Sequence, residues 1–250
     1  MPAEINDFYQ HPAVRSQLQH ELAALAPILA GVYGTTGLFL RAHEAAPDNL
    51  PANLLANVVG LALDEAQILR GGLACDPGEL PLAGESCKLV VVQHLLERLD
   101  EPAACMTEIA RVLAPEGVLL VLGFNPLSLW RPWLAGAMRR ARLPLRIRSA
   151  QSWAATIDAQ GIDVLQTRYS GAWSPWSAAS AEQTGAAGVA AVALARLRGG
   201  WLLLARKQRS VLTPLRLRRD KRELARNPRL VPGAHREHAR VIASIEEKCA

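Results

Sequence analysis

Apolar residues in the first part of the chain follow the period of a helix. Between residues 14 and 29 they recur every three or four positions, as Val14, Leu18, Leu22, Leu25 and Leu29. Residues at this spacing lie on one face of a helix, so the pattern predicts an amphipathic helix that Gly31 and Gly34 close.

Further along, the chain has short apolar runs of strand length. Five of them come before residue 125, at residues 37–42, at 57–63, in a short run ending at Asp76, at 88–92 and at 118–124. Two more follow at residues 162–168 and 199–208. Continuous apolar runs predict strands that are buried on both faces, which is typical of a parallel sheet covered by helices.

Helical patterns lie between several of these strands. The stretch "DEPAACMTEIARVL" places Pro102 in a first turn and shows an apolar face of Met106, Ile109, Val112 and Leu113. The stretch "SAQSWAATIDAQ" predicts another helix. Residues 47–58 remain ambiguous, because Asp48 could cap a helix whereas Pro51 is tolerated only in its first turn.

The alternation of strands and helices predicts an α/β fold. We expect a Rossmann-like, doubly wound, mostly parallel seven-stranded sheet with helices on both faces. The domain should cover residues 1–208, including an N-terminal helical segment at 1–34. Residues 209–250 show little apolar periodicity and are expected to form a basic, flexible C-terminal tail.

The charge of the chain supports this division. The formal net charge is +5, and residues 206–250 hold 13 Lys and Arg against 5 Asp and Glu. A solvated, poorly ordered tail is one interpretation of this excess, and weak contact with nucleic acid or an anionic surface is the other. A second basic segment, residues 131–148, has six arginines and no acidic residue; it could face an anionic substrate or form a solvated helix face.

Cysteine usage and hydropathy narrow the class of protein. Cys75, Cys87, Cys105 and Cys249 form no CxxC pair, so neither a disulfide framework nor a metal site is expected. The polar start "MPAEINDFYQHPAVRSQ" lacks the apolar region of a signal peptide. No apolar run reaches the length of about 20 residues that a transmembrane helix needs, which predicts a cytoplasmic protein.

Several motifs between residues 74 and 126 occur in a fixed order. A strand ends in Asp76, and Leu80-Pro81, "HLLE" at 94–97, "RVLAPEG" at 111–117 and another apolar strand follow. This order resembles the class I S-adenosylmethionine-dependent methyltransferase superfamily (type 11-like). The segment "GFNPLSLW" is similar to a small proteobacterial subfamily with a degenerate glycine-rich loop. The resemblance covers roughly residues 10–205 and implies a bacterial enzyme that uses S-adenosyl-L-methionine for direct in-line methyl transfer.

One segment departs from the superfamily pattern. The first strand of these enzymes normally leads into a glycine-rich loop, where the backbone approaches the cofactor. Here "TTGLFLRAHEAAPDNLP" has no glycine between Gly37 and Gly60, and Glu44 is the acidic residue near the expected place. The cofactor is therefore either held differently or no longer held.

The resemblance assigns cofactor-binding roles to acidic residues at strand ends. Asp76, followed by Pro77, corresponds to the acid that accepts the adenine amino group; the alternative is an Asp that caps a turn. Asp64 or Glu65 would accept hydrogen bonds from the ribose hydroxyls; the alternative is a helix N-cap for the stretch "EAQILRG".

Other candidates follow the fourth and fifth strands. Gln93 and His94 would touch the methionine end of the cofactor, and His94 is also a weak candidate for a catalytic base against an ordinary structural histidine. Asn125 and Trp130 could face the substrate at the sheet edge; the alternative is a turn followed by core aromatics.

These observations predict an S-adenosylmethionine-dependent methyltransferase whose acceptor is unknown. The alternative is a catalytically inactive methyltransferase-fold protein that binds or scaffolds partners through its basic tail. A nicotinamide-dependent oxidoreductase would share the architecture, but the GxGxxG motif is absent from the chain.

Overall fold

The computed structural model describes residues 2–143, 145–176 and 195–208. The predicted basic tail at 209–250 lies outside these residues. The helices are α1 (Pro2–Gln10), α2 (Pro12–Leu29), α3 (Pro102–Val112), α4 (Trp130–Arg140) and α5 (Ala150–Asp158). The strands are β1 (Tyr33–Arg41), β2 (Leu54–Leu63), β3 (Leu69–Gly71), β4 (Ala74–Cys75), β5 (Cys87–Gln93), β6 (Leu113–Phe124), β7 (Ile162–Ser170) and β8 (Gly200–Lys207).

The described strands form one eight-stranded sheet in the order β4-β3-β2-β1-β5-β6-β8-β7. Its centre is parallel, since β1 pairs with β2 and β5, and β5 pairs with β6. The pairs at both edges are antiparallel. The predicted α/β fold with helices on both faces is confirmed, with eight strands in place of seven.

Consecutive residues of the central strands point to opposite faces of the sheet, and both sets are buried. Phe39, Val91 and Leu120 pack with Leu22 and other α2 residues on one face. Their sequence neighbours pack on the other face with α3 and α5 residues, as Leu38, Val90, Leu119, Met106, Ile109 and Trp153. This two-sided burial explains the continuous apolar runs in the sequence.

A third apolar cluster lies beyond the carboxyl ends of the strands. It joins residues of α1 and α4, such as Tyr9 and Leu134, to Ala42 after β1 and Phe124 at the end of β6. Helix α1 was not predicted as a separate element. It begins before Asn6 and ends at Gln10, so it brings polar residues to this edge of the sheet.

The predicted helix alternation fails on the β2 side of the sheet. Residues 42–53 form turns and extended chain, which fits Pro47 and Pro51, since proline is tolerated only in the first turn of a helix. The open assignment at 47–58 is thus extended chain followed by β2. Residues 64–75 contain no helix either: a turn leads into the short β3–β4 hairpin, which replaces the predicted third parallel strand.

Candidate functional site

A cleft of about 670 Å³ lies at the carboxyl ends of β1 and β2. Arg41, His43 and Glu44 line it from the β1 side, and the segment from Leu63 to Ala66 lines it from the β2 side. Asn6 of α1 and the hairpin residues Arg70 and Gly71 complete the lining. Ligands of open α/β sheets bind at this edge, where neighbouring strands diverge.

The loop after β1 is held by side chains instead of glycines. Arg41 donates through Nη1 to the carbonyl oxygens of Glu44 and Ala46, at 3.3 and 2.7 Å. His43 Nδ1 accepts from the Ala45 N–H at 3.1 Å, and Arg98 Nη1 donates to the Ala42 carbonyl. These hydrogen bonds fix a compact turn. Side-chain donors and acceptors therefore hold the loop after β1 in place of the glycine-rich backbone that is usual at this position.

The two acidic residues at the end of β2 differ in the contacts that their carboxylates make. Asp64 Oδ1 accepts from the Ile68 N–H at 2.8 Å, and Asp64 Oδ2 pairs with Arg70 Nε at 2.6 Å. Burial raises the pKa of Asp64, but these hydrogen bonds outweigh it and lower the pKa below its ordinary value. Glu65 is exposed in the cleft, and its carboxylate has no hydrogen bond or ion pair among the described residues.

Two polar atoms near the cleft are buried without a partner among the described residues. They are Arg41 Nε and the Tyr9 hydroxyl oxygen. The Tyr9 ring stacks on His43, with 5.3 Å between ring centroids and 3° between planes. Burial raises the pKa of Tyr9 above its ordinary value, so its hydroxyl keeps its proton. Burial lowers the pKa of His43, and nearby Arg98 lowers it further, which favours the neutral imidazole.

A fully buried ionisable cluster lies behind this edge of the sheet. His94 Nε2 is 2.7 Å from Glu21 Oε2, and His94 Nδ1 is 2.9 Å from Glu97 Oε2. Glu97 Oε1 accepts from the Phe124 N–H at 2.7 Å, and Glu21 Oε1 accepts from Gln17 at 2.7 Å. The cluster therefore joins α2 to the ends of β5 and β6.

Neighbouring glycines make room for this cluster. A Cβ on Gly200 would lie 2.1 Å from Glu21 Oε1, and one on Gly171 would lie 2.0 Å from Gln17 Nε2. Gly171 also has a φ of +86°, which side-chain-bearing residues rarely adopt. The two glycines thus allow the chain to pass closely over the buried polar groups.

The two carboxylates keep the central imidazole charged. Burial alone would lower the pKa of His94, but Glu21 and Glu97 outweigh it and raise the pKa to about 10. Burial raises the pKa of Glu97 as well, against the opposing effects of His94 and the Phe124 N–H. Both shifts have the same sign: the folded cluster holds protons more tightly than the unfolded chain does.

The stability of the fold should therefore decrease as the pH rises above neutral. The His94 contribution is present in full below its unfolded pKa of 6.5 and is lost as the pH approaches 10. One proton corresponds to about 1.4 kcal/mol per pH unit, so we expect the free energy of unfolding to fall by about 1 to 2 kcal/mol between pH 7 and 8.5. Urea denaturation across this range measures it.

The same titration in a Glu21→Gln/Glu97→Gln variant provides the control. Without the two carboxylates that hold its charge, the buried imidazole is neutral above pH 7, and the slope between pH 7 and 8.5 should flatten. An unchanged slope would assign it to other groups. Above pH 9 the thiols also contribute, because burial raises the pKa of Cys105 to about 12. A wild-type stability that is independent of pH up to 8.5 would contradict the charged state of His94.

The predicted cofactor residues Gln93 and His94 lie inside the fold. Gln93 is buried and donates through Nε2 to the Leu18 carbonyl at 3.2 Å. Its Oε1 is buried without a partner among the described residues. His94 uses both ring nitrogens for carboxylates and has a φ of +53°. Its role as a catalytic base stays a prediction, for which this structure offers no free ring nitrogen.

Asp76 and Pro77 follow β4 but do not line the cleft. Asp76 Oδ1 accepts from the Gly78 N–H at 2.7 Å, and the Glu79 N–H donates to the Asp76 carbonyl at 3.1 Å. Asp76 thus caps its own turn, which is the alternative that the sequence left open. Its carboxylate is on an exposed residue, so the adenine-binding role stays a prediction.

Asn125 is bound to the segment that precedes β8, and Trp130 to the residues that follow β7. Asn125 donates through Nδ2 to the carbonyls of Arg196 and Arg198, at 2.6 and 2.9 Å, and accepts from the Leu127 N–H. Trp130 donates through Nε1 to the Ala172 carbonyl at 3.0 Å. Both side chains are buried, and neither lines the cleft. Their substrate-facing role stays a prediction, while their structural contacts are evident.

The sequence interpretation missed Glu21 and Gln17 as members of the cluster. Both lie on the buried face of α2 beside Leu18 and Leu25. A carboxylate and an amide on an otherwise apolar helix face are costly to bury without partners. That interruption of the apolar pattern was the available signal, and it indicated a buried polar partner such as His94.

The remaining general expectations can also be compared with the structure. Within residues 2–143, 145–176 and 195–208, no three His, Cys, Asp or Glu side chains are grouped so that they could hold a metal ion. Among the helices of the described residues, none combines the length and apolar character that a membrane span requires.

Comparison with known proteins identifies a domain type for part of the chain and the fold for most of it. Residues 44–121 match the family described as "Methyltransferase domain". No curated protein matches the sequence significantly. Solved methyltransferase structures do share the fold at low sequence identity.

Three of these structures span nearly the whole length of their own chains. A Thermotoga maritima SAM-dependent methyltransferase, described as a possible histamine N-methyltransferase, is 15% identical, with a TM-score of 0.56 over 83% of this chain and 100% of its own. A chain from the Haloferax volcanii complex of the Trm112 methyltransferase activator with a candidate methyltransferase is 14% identical, with a TM-score of 0.55 over 84% of this chain and 99% of its own. A candidate methyltransferase from Bacillus halodurans C-125 is 17% identical, with a TM-score of 0.53 over 75% of this chain and 99% of its own. The chain therefore has the Rossmann-like fold of these methyltransferases.

Proposed function

We propose that this protein is an S-adenosylmethionine-dependent methyltransferase. The observation that carries the proposal is the cleft at the carboxyl ends of β1 and β2, which has a free carboxylate, Glu65, at its β2 side. The methyltransferase domain match at residues 44–121 begins within the loop after β1 and includes the whole of β2, and thus the β2 wall of this cleft.

The residues of the cleft fit an adenosyl cofactor in three respects. Its volume of about 670 Å³ lies within the range of about 300–1,000 Å³ that is usual for small-molecule sites. Glu65 can accept hydrogen bonds from two ribose hydroxyls without giving up an existing partner. Arg41 lines the β1 side of the cleft and provides a cationic side chain there.

The cofactor, when bound, supplies an electrophilic methyl group on a sulfonium, so the protein has to position two reactants rather than create a nucleophile. Glu65, with Asp64 beside it, would hold the ribose end. The resemblance assigns the adenine to Asp76 with Pro77, which follow β4 outside the cleft lining, and the methionine end to Gln93 and His94. Because both of these side chains are buried, Gln93 and His94 would act there through the backbone at the end of β5. Asn6 of α1 lines the cleft, and Tyr9 of the same helix stacks on the lining residue His43.

The acceptor side of this proposal is less specific. Asn125 and Trp130 fix the turn after β6, and the segments that follow them are suited to choosing the acceptor because they differ most from a regular α/β unit. The acceptor itself is unknown. A cytoplasmic location and weak contact of the 209–250 tail with nucleic acid or an anionic surface remain part of the proposal.

Replacement of the free carboxylate should weaken cofactor binding. A hydrogen bond to a charged group contributes about 1.5–3 kcal/mol, so Glu65→Gln should raise the Kd for S-adenosylhomocysteine by about tenfold or more. Asp76→Ala should have a similar effect if its carboxylate accepts from adenine. Isothermal titration calorimetry gives both values.

Glu116→Gln is a matched control, because Glu116 is a half-exposed residue near the start of β6, whose carboxylate pairs with Arg206. It should leave the Kd unchanged. Equal affinities of wild type and Glu65→Gln would remove the ribose assignment, and an unchanged Asp76→Ala would remove the adenine assignment. If none of the proteins binds, the inactive binding or scaffold protein becomes the better interpretation.

A further inference from the structure

A groove of about 560 Å³ runs along the outer side of α4 and the segment after it. We call it the α4 groove. Its floor is apolar, with Met138 from the helix and Leu143, Leu145 and Ile147 from the following segment. The adjacent side of α4 carries Trp130, Leu134 and Ala137, which are buried in the core. The groove thus lies at the margin of this core, and Met138 and Ile147 are only partly buried against it.

Cationic side chains stand at both ends of the α4 groove. Arg131 lines it at the helix start, and Arg139 and Arg142 line it at the helix end. Arg131 and Arg139 are exposed and make no side-chain hydrogen bond or ion pair with any residue that the structure describes. Three of the six arginines in residues 131–148 line the groove, and its lining includes no acidic residue.

Two leucines project beside this basic surface. Leu127 and Leu129 are 68% and 57% exposed, and they lie in the turn that also supplies Pro126 to the groove. Isolated exposed leucines are ordinary. Two of them next to an apolar floor and beside Arg131 and Arg139 form a surface patch that is both apolar and positively charged. A partner that fits it needs negative charge at the rim and an apolar interior.

We propose that the α4 groove, together with Leu127 and Leu129, binds the surface of a bilayer that contains anionic phospholipids. Arginines at a membrane surface attract anionic headgroups, while leucines enter the boundary between headgroups and acyl chains. The helix lies on the bilayer and does not cross it. The methyl-transfer proposal is not required for this inference, because the groove and the cleft share no lining residue.

The alternative anionic partner, a nucleic acid, fits the same charge but not the same surface. Phosphate backbones pair with basic and polar side chains, and single-stranded bases stack on exposed aromatic rings. The lining of the α4 groove contains no aromatic ring, and its floor is aliphatic. The exposed leucines would gain nothing from a phosphate backbone, whereas they would bury apolar surface in a bilayer.

Vesicle sedimentation with the full-length chain tests the proposal. Vesicles of phosphatidylglycerol and phosphatidylcholine in equal parts should retain the wild-type protein, and vesicles of phosphatidylcholine alone should not. Each arginine contributes about fivefold to such binding, so Arg131→Gln/Arg139→Gln should lower the partition coefficient by about 25-fold. Leu127→Ser/Leu129→Ser keeps the charge and should lower it by about tenfold.

Matched controls separate this surface from the basic tail, which every variant retains. Arg15→Gln/Arg168→Gln removes equal charge from exposed positions elsewhere. Leu54→Ser/Leu165→Ser removes equal apolar area from residues that are 64% and 58% exposed. Both controls should bind vesicles as the wild type does.

Three outcomes would overturn the inference. The first is that anionic vesicles retain the Leu127→Ser/Leu129→Ser variant as well as they retain its control. The second is that anionic vesicles do not retain the wild-type protein. The third is that the arginine variant loses RNA or DNA binding while its vesicle binding is unchanged. The last of these would assign the surface to nucleic acid.

Discussion

Replacing His94 with alanine should lower the free energy of unfolding by about 3–5 kcal/mol, which is the usual cost of removing one partner from a buried ion pair. The imidazole lies between Glu21 and Glu97, and all three side chains are at most 2% exposed. Without it, two buried carboxylates remain close together and lose their common counter-charge. Either they repel each other or one must take up a proton.

Urea denaturation at pH 7 measures this effect, and Glu116→Gln is the control. Glu116 pairs with Arg206 at 3.0 Å, but the two side chains are 42% and 52% exposed. Exposed pairs contribute about 0–1 kcal/mol, so this variant should remain close to wild type. A His94→Ala protein as stable as the control would mean that the cluster does not join α2 to the sheet in the way described.

Replacing Asn125 with alanine should lower the free energy of unfolding by about 2–4 kcal/mol, because each buried polar group left without a partner costs about 1–3 kcal/mol. The side chain is buried and binds two carbonyls before β8 and one N–H in its own turn. Its removal leaves the carbonyls of Arg196 and Arg198 without their donor, next to the start of β8.

Asn53→Ala is the matched control for Asn125. Asn53 also accepts from the N–H two residues later, at Leu55, and donates to the Pro51 carbonyl, but it lies in a half-buried turn where water can replace it. We expect a loss of about 1 kcal/mol or less. Chemical denaturation of both variants decides the matter: equal losses would show that Asn125 acts only as a turn residue.

Asn125 and Trp130 illustrate what the sequence could and could not predict. The "NPLSLW" segment indicated a turn at the end of a buried strand, and the structure contains that turn. The long-range bonds of Asn125 connect residues more than 70 positions apart, and no local pattern encodes them. For the same reason Trp130 was open between a substrate-facing residue and a buried aromatic.

The central strands were predictable because both of their faces are buried. The unbroken apolar runs at residues 89–92 of β5 and 118–122 of β6 are hard to reconcile with any exposed element, so the sequence was enough to place them in the sheet. The β3–β4 hairpin was not predictable in this way. It is only five residues of strand, and its form depends on the contacts of Asp64 with Ile68 and Arg70.

The cleft was predictable in position but not in construction. Strand ends in an α/β sheet indicate a ligand edge, and the absence of glycine after β1 was evident from the sequence. How the loop would close without glycine was not evident, because Arg41 closes it from within the strand and Arg98 from a distant segment. Arginine side chains, which have several donors, can replace the contacts of a glycine-rich loop, and a sequence motif does not show this.

The central question is whether this cleft, which lacks a glycine-rich loop, holds the cofactor. Isothermal titration of the folded wild-type chain with S-adenosylhomocysteine tests it directly. We predict saturable binding at one site per chain, weakened in the Glu65→Gln protein and unchanged in Glu116→Gln. Absence of binding by wild-type protein that denatures cooperatively would contradict the account and would leave a methyltransferase fold without its cofactor.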